Sequence, residues 1–249
     1  MRGESEKNCL IKVKKLLKEG NIHFCCDDKK EVANIIRNID LTEEDDSCFP
    51  DFVFENGFIE HFQISGKKES SKGSEYNIGE NSFRKEAEKF NDEFRENSLN
   101  TEPSNKILAD SIQRIDEEYS YDWYFKSFKK HWLKHIDSLN KYEGSKQIGI
   151  FLIEYNGAPL NIIYKGKFKE FYKIYKDKTI VDFISDYKDQ IKYVIYIDND
   201  SCQIIQIYKI INEIQPLADG FEFGTGRMIK VNSGIFIDLN DIFKFLKRR

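Results

Sequence analysis

The sequence predicts an α/β fold, a mixed sheet flanked by helices. Three observations predict it. The segment "QIGIFLIEYN" is a nearly continuous apolar run, the kind of strand buried on both faces beneath covering helices. Asn56-Gly57 separates two short apolar runs, a hairpin signal because both residue types tolerate positive φ. Apolar residues at helical spacing precede and separate these strands.

In chain order, "SEKNCLIKVKKLLKEG" carries Leu10, Val13, Leu16 and Leu17 on one stripe and stops at Gly20. "NIHFCC" is a short strand. "KKEVANIIRNI" is a second helix, with Val32, Ile35, Ile36 and Ile39 aligned. These N-terminal helices occupy about residues 1–45, and an acidic loop follows. Residues 66–105 are polar and charge-mixed, with few aliphatics and one helix expected near 82–96. They predict an insertion or lid rather than core. "KILADSIQRIDEEY" reads as a helix. "YDWYFKSFKKHWLKHIDSLNKY" is a long helix with Phe125, Phe128, Trp132, Ile136 and Leu139 as its stripe. After the buried strand come a strand "LNIIYKG", a helix "TIVDFISDY", and paired strands "KYVIYIDND" and "QIIQIYKI". "GFEFGTGRM" lacks any phosphate-binding glycine pattern and is a turn beside a strand. A strand "SGIFIDL" and a short helix "DIFKFLKRR" close the chain. One domain spanning 1–249 is the simplest account.

The 249 residues are 40% hydrophobic and 14% aromatic, enough for a core despite 33% charged residues. The net charge of −4 decides nothing about partners, but its distribution is uneven. Residues 41–60 hold seven acids and no Lys or Arg, whereas 121–178 hold twelve Lys against six acids. An acidic focus beside a basic segment suits a metal site next to a phosphate-binding surface. The five Cys have no regular metal or disulfide spacing, which suits reduced thiols in a cytoplasmic protein. No apolar run is long enough to cross a bilayer.

The chemistry concentrates in "FPDFVFENGFIEHFQIS", residues 49–65. A turn centred on Asn56-Gly57 pairs Val53 with Glu60 and Asp51 with Phe62. Asp51 and Glu60 then share one face as diagonal neighbours, roughly 7–8 Å apart. Buried carboxylates are costly unless paired or bound to a cation, so the two are candidate ligands for Mg²⁺ or Mn²⁺. His61 and Gln63 fall on the opposite face, in hydrogen-bonding or packing roles. His131 and His135 have the i, i+4 spacing of a zinc pair, but His135 lies near the apolar stripe and reads as a packed histidine.

Pro50-Asp51-Phe52 followed by Ile59-Glu60, with a helix and a buried strand beyond, resembles the PD-(D/E)XK nuclease superfamily. The resemblance implies a restriction-endonuclease-like core and metal-dependent endonuclease activity, with DNA as the expected substrate and bacterial defence or restriction as the setting. It implies Asp51 and Glu60 as metal ligands. The family's Lys two residues after the Glu is replaced here by Phe62, and in a Q-x-K alignment by Ser65. The missing cation is expected from the long helix, where Lys129 lies about 60° from the centre of the apolar stripe. The alternative is an inactive relative that binds nucleic acid or serves as a subunit, with a protein partner or a second copy of the chain.

Overall fold

Helices on both faces bury most side chains of the central strands, and the strand sequences follow from that. A computed structural model describes residues 4–41, 49–67, 69–70, 73–100, 108–116, 119–199, 201–214, 217, 221–225 and 228–236. The elements in chain order are α1 (Glu4–Glu19), β1 (His23–Cys25), α2 (Lys29–Asn38), β2 (Phe52–Phe54), β3 (Gly57–Ile64), β4 (Glu69–Ser70), β5 (Gly73–Ser74), α3 (Glu75–Asn100) and β6 (Leu108–Asp116). They continue with α4 (Tyr121–Lys141), β7 (Ile148–Tyr155), β8 (Leu160–Tyr164), β9 (Lys167–Phe171), a 3₁₀ turn (Ile174–Lys176), α5 (Lys178–Ser185), β10 (Tyr193–Ile197), β11 (Cys202–Gln206), α6 (Ile207–Glu213), β12 (Phe221–Thr225) and β13 (Met228–Phe236).

The chain divides into two compact units, residues 1–67 with 119–226, and 68–118 with 227–249. The first holds a six-stranded sheet in the order β1-β11-β10-β7-β3-β2. Strand β7 runs parallel to both β3 and β10, while β2–β3 and β10–β11 are antiparallel. The sheet is therefore mixed, as expected. Alternation sorts its side chains into two cores. Phe58, Phe62 and Ile64 of β3 join Phe151 and Ile153 of β7 beneath Phe128, Trp132 and Ile136 of α4. Ile59, Ile150 and Leu152 pack on the other face with Leu10 and Val13 of α1 and Val32 and Ile36 of α2. A smaller sheet, β12-β8-β9, completes this unit.

The second unit corrects one reading and extends another. Leu108–Asp116 is a strand, paired over all nine residues with β13, and not a helix. The i, i+3 spacing of Ile112 and Ile115 suits a helix in isolation. An antiparallel ladder satisfies the same backbone, and such tertiary pairing overrides local preference. The polar segment expected as an insertion or lid forms the 26-residue helix α3, longer at both ends than the helix expected near 82–96. In the first unit, "QIIQIYKI" splits into β11 and α6, and "GFEFGTGRM" contributes strand β12. The C-terminal helix expected over "DIFKFLKRR" lies outside the described residues.

The hairpin turn is also displaced by one residue. Its loop is Glu55-Asn56, and Phe54 pairs with Gly57, Val53 with Phe58 and Phe52 with Ile59. Gly57 is therefore a strand residue, and what requires glycine there is space. A Cβ at this position would stand 2.0 Å from the carbonyl oxygen of Ile148, at the start of the neighbouring strand. The close approach lets Ile148 N–H donate to the Asn56 carbonyl at 3.0 Å.

Gly57→Ala should accordingly destabilise the protein by roughly 1–3 kcal/mol or more, because backbone must move to admit the methyl group. Chemical denaturation reads this as a lowered midpoint. An unchanged midpoint would mean that β3 and β7 do not approach as described.

Candidate metal centre on the β2–β3 hairpin

Asp51 immediately precedes β2, and continuing the hairpin register by one residue sets it directly opposite Glu60. The displaced turn thus brings the two carboxylates closer than the diagonal placement expected from the sequence. Each carboxylate is tied to a backbone N–H across the hairpin. Asp51 N–H donates to Glu60 Oε2 at 3.0 Å, and His61 N–H donates to Asp51 Oδ2 at 2.6 Å.

The side of the sheet follows from alternation. Glu60 lies between Phe58 and Phe62 in sequence order and shares their face, under α4. There His135 Nδ1 lies 2.5 Å from Glu60 Oε1. The imidazole stacks on Phe62 at a ring separation of 4.8 Å, so Phe62 supports the histidine. His131 stacks more distantly on the same ring, at 6.5 Å, and its Nδ1 lies 2.8 Å from the Ser127 carbonyl oxygen.

Burial governs the ionisation of this group. It pushes the Asp51 carboxyl up to about 7, with the Glu60 charge adding to the rise and the His61 N–H partly opposing it. It pushes Glu60 up to about 7 as well, against hydrogen bonds from the Asp51 backbone and side chain. Two such groups titrate as a pair, and burial holds both above the ordinary carboxylate range. Burial, reinforced by Lys134, lowers His135 to about 4, which leaves a neutral imidazole at neutral pH.

Glu6 of α1 adds a further negative charge that both carboxyls feel, and the sequence reading missed it. Its charge raises both Asp51 and Glu60, and its Oε2 is buried without a hydrogen-bond partner. A signal was present: Glu6 falls on the stripe of Leu10, Val13 and Leu17, where an apolar residue belongs. His135 carried a similar signal, sitting between Trp132 and Leu139 at helical spacing. A packed histidine was expected, and it is packed, but it also touches Glu60.

Lys129 is not set against this pair. Its Nζ lies 5.7 Å from the centre of the Phe183 ring, on an α4 flank about 120° around the helix from His135. On the opposite face of β3, His61 Nε2 lies 3.3 Å from Glu154 Oε2, and Gln63 donates to that oxygen at 2.8 Å. Both are hydrogen-bonded, as expected for that face.

Asp51 and Glu60 are hard oxygen donors, and a largely buried pair with excess negative charge fits a divalent cation such as Mg²⁺ or Mn²⁺. Comparison with protein-family models, with curated proteins and with solved structures returns no match. Among the described residues no helix is long and apolar enough to cross a membrane.

The raised carboxyls fix a sign for pH dependence. Their folded values near 7 exceed the ordinary 3.8 and 4.5. The stability linked to them is fully present below about pH 4 and is lost as pH rises through 7. His135 acts oppositely, but only below its ordinary 6.5. Without divalent cations, the melting temperature should fall from about pH 6.5 to 8, and Glu60→Gln should flatten that fall by on the order of several °C. Thermal melts at constant ionic strength read the slope, and an equal slope in both proteins would reject raised carboxyls.

Proposed function

We propose that the chain is a metal-dependent nuclease that hydrolyses phosphodiester bonds, with Asp51 and Glu60 holding Mg²⁺ or Mn²⁺. The observation that carries this reading is the carboxyl pair itself. Two largely buried acids face each other across the hairpin, and their partners are backbone N–H groups and a neutral imidazole. A structural pair would gain more from a nearby Lys or Arg, whereas a cation site needs the unneutralised charge.

Bound there, a divalent cation would polarise the scissile phosphate and lower the pKa of the attacking water. The chain's own part is to hold the donors. The hairpin fixes Asp51 opposite Glu60, the two backbone N–H groups aim the carboxylates, and α4 walls the site with His135. His135 Nδ1, 2.5 Å from Glu60 Oε1, would donate to the ionised carboxylate and hold it in place, leaving Nε2 as the accepting nitrogen of the neutral ring. DNA is the proposed substrate on the strength of the resemblance, and bacterial defence or restriction is the proposed setting. The lysines of 121–178 offer phosphate contacts. The second reading, an inactive nucleic-acid-binding relative, is favoured by one observation: Phe62 replaces the usual Lys and Lys129 lies over Phe183.

The test is cleavage of plasmid and single-stranded DNA with and without Mg²⁺ or Mn²⁺. Asp51→Ala and Glu60→Ala should each reduce cleavage to background while circular dichroism stays native. Cleavage that survives both substitutions would refute the site. Binding of Mn²⁺ and DNA by an inactive wild type would select the second reading. Lys129→Ala should leave turnover unchanged, given its position over Phe183, and change affinity alone. A loss of turnover at unchanged affinity would place Lys129 in the reaction.

A further inference from the structure

The face of β3 turned away from α4 carries a second cluster, with different chemistry. Cys9 of α1, His61 of β3 and Glu154 of β7 each offer one ligand atom, and these atoms lie within 4.8 Å of one another. Cys9 is buried at 2% exposure and His61 at 6%. Glu154 is half-buried at the end of a strand that is otherwise apolar. The three come from separate elements, so the fold, not local sequence, assembles them.

We propose that Cys9, His61 and Glu154 form a second metal site, selective for Zn²⁺ over Mg²⁺. Three features argue for it. The donor set is a thiolate, an imidazole and a carboxylate, the mixture that suits zinc, whereas Mg²⁺ prefers oxygen alone. A thiolate and a carboxylate together supply two negative charges, matching a divalent cation. Glu154 is also held in place from outside the triad: Gln63 Nε2 donates to Glu154 Oε2 at 2.8 Å and to Ser5 Oγ at 2.8 Å. Such an outer hydrogen bond aims a ligand and fixes its oxygen. Tetrahedral coordination with bonds of about 2.0–2.3 Å requires the donors to draw in from their present spacing. Three protein ligands leave a fourth position for water.

The site would clamp α1 to the centre of the sheet. It is independent of the nuclease reading, since it uses none of Asp51, Glu60 or Glu6.

The test uses the full chain stripped of metal by a chelator and titrated with Co²⁺, then with Zn²⁺ in competition. One equivalent of Co²⁺ should produce a thiolate-to-cobalt charge-transfer band in the near ultraviolet, and Zn²⁺ should displace it. Asp51→Asn should keep the band, which separates this site from the carboxylate pair, and Cys9→Ser should abolish it. Gln63→Ala, at an exposed position that does not endanger folding, should weaken affinity roughly 10–100-fold. Absence of the band in folded wild type, its survival in Cys9→Ser, or unchanged affinity in Gln63→Ala would each overturn the proposal.

Discussion

The direct opposition of Asp51 and Glu60 across the β2–β3 hairpin is the constraint around which this half of the sheet is arranged. Two carboxyl groups in one buried place repel and are poorly solvated, so each must be held by something. Here Asp51 and Glu60 are held by each other's backbone neighbours, through the Asp51 and His61 N–H groups. That arrangement needs the hairpin in one register, which needs the Glu55-Asn56 loop, which needs Gly57 pressed against the Ile148 carbonyl. A one-residue slip would send Glu60 to the opposite face and exchange it for His61.

The same alternation gives β3 two faces with different chemistry. On the α4 side are oxygen donors with a neutral histidine, and on the α1 side a thiol, an imidazole and a carboxylate. A strand buried on both faces ordinarily reads as unbroken hydrophobic sequence. The polar residues Glu60, His61 and Gln63 interrupt that pattern because each meets a partner from a different element: His135 from α4, Glu154 from β7, and Ser5 from α1. The interruption that makes the strand look poorly suited to its position is what equips both faces.

Much of this was legible in the residues. Continuous apolar runs marked β7 and β10, and helical stripes marked α1, α2 and α4, because burial imposes those periods directly. The shared face of Asp51 and Glu60 was legible from alternation alone. Their direct opposition was not, since Asn56-Gly57 has the composition of a tight turn while the real demand on Gly57 comes from Ile148, distant in sequence. Strand β6 was misread for the same kind of reason: its partner β13 begins more than a hundred residues later. Glu6 and His135 could have been suspected from their places on apolar stripes, but which acid or histidine meets which is decided by tertiary packing.

The central claim is that the Asp51–Glu60 pair is a cation site. It is tested most directly by crystals of the protein soaked in Mn²⁺ and measured at a wavelength where manganese scatters anomalously. The account predicts an anomalous peak within coordination distance of both carboxylates, with both ionised. Crystals that show no peak there, and keep Asp51 and Glu60 in their metal-free hydrogen bonds at saturating Mn²⁺, would contradict it.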